Sequence, residues 1–538
     1  MNGLMMDYPL TLQHIFHRMS RLYADKSVVS KTPTGTERCT YGELAGRVTR
    51  LSRALELAGV RRGDRVATFA FNNQRHLECY FAIPCMGAVL HTLNVRLFRD
   101  QLEYIIADAD DTVIFVDRSA LPLLAPLAGH MPSVKLLVLM GSGPAETDGL
   151  APWVDYEEFL ASADRDVEFP ALDEREACSM CYTSGTTGDP KGVVYSHRST
   201  LLHAITACIP DCGDLSEADT VLPVVPMFHA NAWGFCHSAP LIGANLAFAD
   251  RFTDARSLLD LMLQERVTVS AGVPTIWNAL VAALDASPVD LPDLRHLICG
   301  GSAVPVSLLE AMDRHGLQIL QAWGMTETSP IGTFCRPRHA HTGLSPDALR
   351  QLGAKQGYRV PGIDLRVVDV TSRQEVSWDG ESVGEIEVRG PWVASSYYHG
   401  ASAERFRDGW FSTGDVATID ALGYIQIVDR TKDLIKSGGE WISSVELEGR
   451  IMAHPKVFEA AVIGIADAKW GERPLAYVVP LPEHKDNITS EEIIEFLRPQ
   501  VAKFWLPDAV QFIDSVPKTS VGKFDKKVLR TKPAEDIL

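Results

Sequence analysis

A six-residue apolar run, Ala177–Tyr182, breaks abruptly into Thr183, Ser184, Gly185, Thr186, Thr187 and Gly188, then closes on Pro190, Lys191 and Gly192. A short apolar run bounded by a turn reads as a buried strand. The loop after it is small, hydroxylated and rich in glycine. Its free backbone N–H groups can wrap phosphate oxygens, and its hydroxyls add donors. Lys191 supplies a point charge for a polyphosphate. The spacing departs from a Walker A loop, which has four residues between its glycines and then Gly-Lys-Ser/Thr. Here Gly185 and Gly188 have two residues between them, and Gly192 follows the lysine. An ordinary solvated turn would use the same residue types.

Around this stretch, strands alternate with helices. Thr40-Tyr41-Gly42-Glu43 is a capping-box pattern ahead of Leu44, Val48, Leu51 and Leu55 at helical spacing, and Gly59 stops that helix. Residues 65–71 read as a strand, residues 82–87 as part of an apolar helix, and residues 112–116 and 134–140 as further buried strands. This order predicts an α/β fold with largely parallel strands. Residues 385–388 alternate as an exposed strand. The tail alternates strands and helices over residues 460–465, 475–479, 493–501 and 511–513, which reads as a small α+β domain. A chain of 538 residues exceeds one ordinary core, so two or more domains are expected.

The net charge of −18 disfavours nucleic acid and anionic membranes as partners. An anionic substrate must then be held by local Lys, Arg and backbone N–H groups. No run approaches a membrane span, and the N-terminus lacks the basic start and apolar block of a signal peptide, so a cytoplasmic protein is expected. The ten cysteines are scattered, which fits a reducing compartment. Cys178 and Cys181 have the spacing of a redox or zinc pair. On a strand they face opposite sides, however, and no second pair follows, so two packed structural cysteines are expected.

Three further stretches carry chemistry. Residues 223–235, PVVPMFHANAWGF, suit the wall of an apolar pocket. Residues 297–303 read as a strand ending in a glycine loop, where Gly301, Ser302 and Ala303 would let a ligand approach the backbone. Residues 321–330, QAWGMTETSP, place Glu327 as a hard carboxylate suited to Mg²⁺ beside phosphates.

The string YTSGTTGDPKGV closely resembles the phosphate loop of the adenylate-forming enzymes, and QAWGMTE, the Asp408–Asp415 stretch DGWFSTGD, DRTKDLIKSGGEWI and PKTSVGKF resemble the family's later motifs in order. The resemblance covers nearly the whole chain. It implies a large N-terminal domain with mixed, largely parallel sheets over residues 1–430, and a small mobile α+β domain over residues 431–538, joined by a hinge at Lys432. It also implies nucleotide binding by Thr183, Ser184, Gly185, Thr186, Thr187, Gly188, Gly301, Ser302, Ala303, Gln321, Ala322, Trp323, Gly324, Thr326, Asp415, Arg430, Lys432 and Lys436. The family usually has tyrosine where Trp323 stands. Asp415 and Arg430 correspond to the ribose-binding positions, Thr183 and Glu327 to the Mg²⁺ site, and Lys523 to the lysine of the adenylation step, with Lys191 and His229 beside it.

FHANAW and residues 430–442 look most like the medium- and long-chain fatty-acyl-CoA synthetases, in which Trp233 matches a gate on the acyl tunnel. Ser437, Gly438, Gly439 and Trp441 match the acyl and pantetheine path. The reaction implied joins a carboxylic acid, ATP and CoA through an acyl-AMP intermediate, releasing AMP and pyrophosphate. The resemblance also implies a homodimer. A synthetase for a short functionalised acid such as methylmercaptopropionate, or for an aromatic acid, is the alternative. A phosphotransferase would want a Walker-type loop. A non-catalytic sensor would be expected to lose Lys523 or Glu327, and both are present.

Overall fold

The computed structural model describes residues 1–183, 189–430, 432–437, 440–467, 469–518 and 524–531. Ser184, Gly185, Thr186, Thr187, Gly188, Gly438, Gly439 and Lys523 therefore lie outside the described residues.

Two large sheets and a smaller one share one core. In the seven-stranded sheet, Arg65–Phe69, Val89–Thr92, Val113–Asp117, Leu136–Met140, Trp153–Asp155 and Ala177–Tyr182 run parallel. Gly192–Ser196 returns antiparallel beside Ala177–Tyr182. The nine-stranded sheet has a parallel centre that includes Thr220–Pro223, Asn245–Phe248, Val269–Gly272, His296–Cys299 and Ile319–Gly324. These strands are buried on both faces, and the polar Ser270 and His296 within them are hydrogen-bonded to Leu222 O and Gly213 O. The third sheet is antiparallel and ends in Trp410–Ile419 and Ile425–Arg430. Ile386, Phe411 and Ile425 from this sheet join the same core as Leu90 and Ile298 from the two large ones.

Local sequence fixes the elements as expected in several places. Helix Tyr41–Leu57 begins at a Thr40–Glu43 capping box, and its buried face carries Leu44, Val48, Leu51 and Leu55. Cys178 and Cys181 are buried on opposite sides of their strand. Cys178 Sγ lies 3.3 Å from Thr200 Oγ1, and Cys181 Sγ lies 3.3 Å from Asn231 Oδ1. Burial pushes the Cys178 thiol up to about 11, so it is packed and unreactive. The expected exposed strand at residues 385–388 is a correction. Glu387 is buried there because Arg366 and Arg373 both pair with it, and a carboxylate so compensated can leave water.

The fourth sheet begins at Ile435–Ser437 and is built on Val457–Asp467 and Gly471–Pro480. Side chains along these two strands alternate between separate clusters. Val462 and Ala476 face one cluster, and Ile463 and Leu475 face the other. This is the small domain. It meets the third sheet through a buried polar chain: Lys526 Nζ lies 2.6 Å from Glu448 Oε1 and donates to Ser444 Oγ at 2.6 Å. Ser444 in turn donates its N–H and hydroxyl to Asp429 Oδ2 at 2.7 and 2.6 Å. Among the described residues no helix is long and apolar enough to cross a membrane.

Candidate active site

The carboxyl ends of the parallel strands open on one cavity of about 500 Å³. This is where open α/β sheets place ligands. The hairpin of Ala177–Tyr182 and Gly192–Ser196 delivers the base of the phosphate-loop stretch to its wall. Thr183 N donates to Lys191 O at 2.9 Å, and Lys191 N donates to Thr183 Oγ1 at 3.2 Å. Lys191 Nζ reaches across to Ser402 Oγ at 2.5 Å.

One half of the cavity is polar and charged. Lys191, Arg405, Arg430 and Lys432 line it, with Thr326 and the carboxylates Asp189, Glu327 and Glu404. Burial pulls the Lys432 ammonium below its ordinary range. A chain of net charge −18 thus places four cations against three carboxylates around this cavity, a local excess of positive charge suited to an anion. Asp415 and Arg430 are cross-strand neighbours in register, and Arg430 Nε lies 3.3 Å from Asp415 Oδ1. Trp323 donates its indole N–H to Asp415 Oδ2 at 2.8 Å. Its aromatic face packs against Gly332, where a Cβ would sit 2.5 Å from the ring. Glu327 is buried, and Tyr397 donates its hydroxyl to Glu327 Oε1. Burial, and then the Glu327 charge, raise the Tyr397 phenol above its ordinary value.

The other half is apolar. Val225, Ala230, Trp233, Phe235, Ile298, Ile331 and Phe334 line it, together with Ala207 and Gly213. Trp233 stands over Gly300, where an added Cβ would come within 3.2 Å of the indole and 2.8 Å of Ala322 O. The turn that carries Trp233 is left-handed over four non-glycine residues, Ala230, Asn231, Ala232 and Trp233. Such backbone costs roughly 1–2 kcal/mol per residue, so its neighbours must hold it. Asn231 does so: its Nδ2 donates to Ser179 Oγ at 3.1 Å, and its Oδ1 accepts from Tyr80 OH at 3.3 Å. The turn that carries Trp233 is thereby tied to strand Ala177–Tyr182.

Residues 16–398 match the AMP-binding enzyme family, and residues 446–523 match the AMP-binding enzyme C-terminal domain. The chain belongs to the AMP-binding enzyme family. Among similar proteins, a long-chain-fatty-acid–CoA ligase of Thermus thermophilus is 46% identical over 98% of this AMP-binding enzyme and 96% of its own length. A 3-methylmercaptopropionyl-CoA ligase of Ruegeria pomeroyi is 42% identical over 98% of each chain. The solved structure of the anthranilate CoA ligase AuaEII with anthranoyl-AMP has a TM-score of 0.86 at 27% identity, over 98% of each chain. The mixed-sheet N-terminal domain and small C-terminal domain are the adenylate-forming fold.

Within this AMP-binding enzyme, Thr183, Lys191, His229, Trp233, Gly301, Ala322, Trp323, Gly324, Thr326, Glu327, Arg430 and Lys432 meet on the cavity wall. Asp415 is buried behind Trp323 and Arg430. Gln321 is buried off the wall, and its carbonyl receives Cys335 N at 2.8 Å. Ser302, Ala303, Lys436, Ser437 and Trp441 are also away from the wall. Ser437 is buried, with its hydroxyl 3.0 Å from Arg473 Nη1, and Lys436 lies 5.2 Å from the Trp441 ring centroid. Sequence reasoning gave no role to Tyr397, Ser402 or Arg405, which complete the polar half. The Tyr397-Tyr398 pair beside the ribose motif was the available signal.

The donor set also fits Mg²⁺. Among the described residues no group of three or more His, Cys, Asp or Glu could hold a metal ion. A single buried carboxylate, Glu327, beside groups able to bind phosphate suits Mg²⁺, which keeps waters and substrate phosphates as its other ligands.

Proposed function

We propose that this chain is an AMP-forming acid–CoA ligase acting on medium- or long-chain fatty acids. The observation that carries this reading is the continuity of the cavity. The polar part beside Glu327 and the apolar part that includes Ala207 and Gly213 are one space, and Trp233 lines it. A nucleotide phosphate and an apolar acid would therefore meet near His229 and Thr326.

In the first step, a carboxylate oxygen attacks the α-phosphorus of ATP, and the bond to pyrophosphate breaks. In the second, the CoA thiolate attacks the acyl carbonyl and AMP leaves. AMP is the leaving group that free carboxylate chemistry lacks. Lys191 and Lys523 offset charge as two anions approach, Thr326 holds the α-phosphate region, and Asp415 and Arg430 hold the ribose. Glu327 and Thr183 would hold Mg²⁺, which supplies charge neutralisation on the phosphates when bound. Residues 1–430 form the nucleotide and acyl domain. Residues 431–538 turn about Lys432 between the two steps, removing Lys523 and bringing in Gly438 and Gly439. The assembly we propose is a cytoplasmic homodimer, which light scattering tests.

The test is CoA-dependent AMP release against acids from propionate and methylmercaptopropionate through octanoate to palmitate, with benzoate. Turnover rising to octanoate or beyond supports the reading. A maximum at methylmercaptopropionate moves the chain to the second reading, a short thioether-acid ligase, which the Ruegeria relative favours. ADP in place of AMP sinks both.

A further inference from the structure

Glu327 has neighbours whose arrangement goes beyond holding one side chain in place. Tyr397 is buried, and its ring is edge-on to Phe406 at 5.3 Å and to Phe411 at 6.5 Å, so the phenol has a fixed direction. Its hydroxyl donates to Glu327 Oε1 and accepts from Arg405 Nη1 at 3.0 Å. A hydroxyl that accepts from a cation is polarised into a stronger donor. Arg405 is itself clamped: Nε donates to Ser412 O at 3.0 Å, Nη2 donates to Thr413 O at 2.6 Å, and the guanidinium covers the Phe411 ring at 4.8 Å. Those carbonyls belong to strand Trp410–Ile419, which also carries Asp415. The face of Tyr397 is used as well, since Lys191 Nζ stands 5.4 Å from its ring centroid, within cation–π range.

We infer that Tyr397 and Arg405 are a positioning pair that fixes the Glu327 carboxylate for a nucleotide-bound divalent cation. Resting on the proposed role of Glu327, the inference assigns the orientation of that carboxylate to groups outside its own motif. Mg²⁺ demands near-octahedral oxygen ligands, so a free-turning carboxylate holds it poorly. Groups that orient metal ligands from behind typically contribute about 10–100-fold in metal affinity. The pair also ties the metal side of the site to the strand of Asp415, so both ends of the nucleotide are referred to one element.

The experiment measures Mn²⁺ binding, as the probe for Mg²⁺, by electron paramagnetic resonance of the full-length protein with ATP. Tyr397→Phe keeps the ring and removes the hydroxyl. Its Mn²⁺ affinity in the presence of ATP should fall about 10–100-fold, a larger loss than any in ATP affinity measured in EDTA. Arg405→Lys, which keeps the charge and loses the fork, should shift Mn²⁺ affinity the same way by less. Wild-type Mn²⁺ affinity in a folded Tyr397→Phe protein overturns the inference and leaves the proposed function standing. If Tyr397→Phe does not fold, Arg405→Lys decides by the same criterion. Absence of ATP-dependent Mn²⁺ binding in the wild type overturns the inference together with the role of Glu327.

Discussion

Enlarging Ala207 should shorten the acids the protein accepts. Ala207 is in the last turn of helix His197–Cys208 and lines the cavity, next to Gly213. The backbone there is closely packed. Gly213 N donates to Ala207 O at 3.0 Å, and a Cβ on Gly213 would sit 2.5 Å from that same oxygen. Leucine adds three carbons to the wall and displaces about two to three methylenes of a chain that fills the space. Each buried methylene is worth about 0.8 kcal/mol, so the longest acids should lose about 1.6–2.4 kcal/mol, or about 15- to 60-fold in kcat/KM. The loss should grow with chain length, and an acid that stops short of Ala207 should be unaffected. The assay is CoA-dependent AMP release by wild type and Ala207→Leu across the acid series, with melting temperature as the control for overpacking. Equal loss on butanoate and on the longest acid would falsify the placement of the acyl chain. An unchanged ladder would do the same.

Two further outcomes can be set out together. Trp323→Phe removes the indole donor from the buried Asp415 carboxylate. A hydrogen bond to a charged group is worth about 1.5–3 kcal/mol, so calorimetry should find AMP bound roughly 10- to 100-fold more weakly, with unchanged affinity speaking against the ribose role. Burial lowers His76, His197 and His296 to about 4, and His203 and His237 to about 3. A base whose folded value is depressed is protonated first in the unfolded chain, so the stability it contributes above about 6.5 is lost as pH falls. Replacing His237 with methionine should lower the slope of stability against pH by about 1.4 kcal/mol per pH unit below 6.5. Urea unfolding at a series of pH values checks this, and parallel wild-type and variant lines would refute it. The comparison isolates one group from carboxyls such as Asp117, which burial raises to about 7 and whose linkage runs the other way.

Local patterns were readable wherever a residue's neighbours in sequence are also its partners in space. Strand Ala177–Tyr182, the Thr40–Glu43 cap and the burial of Cys178 and Cys181 are of this kind. Motif order placed most of the cavity wall. Alternation located the faces of strand Gly384–Arg389 but said nothing of Arg366 and Arg373, whose charges let Glu387 be buried. Tyr397 is 70 residues from Glu327, and only the fold makes them partners. Lys436, Ser437 and Trp441 stand off the wall, on the first strands of the fourth sheet, and a linear motif does not encode where that sheet lies.

The contact of Ser444 with Asp429 has a consequence for that placement. Lys432 lies between the two residues in sequence, so the rotation we propose about it would draw Ser444 away from Asp429. The carboxylate would then trade fixed protein dipoles for hydration. Such a reorientation would be in part an exchange of solvent, with its own dependence on ionic strength and water activity. Salt would move the resting balance between orientations before ATP or CoA arrives.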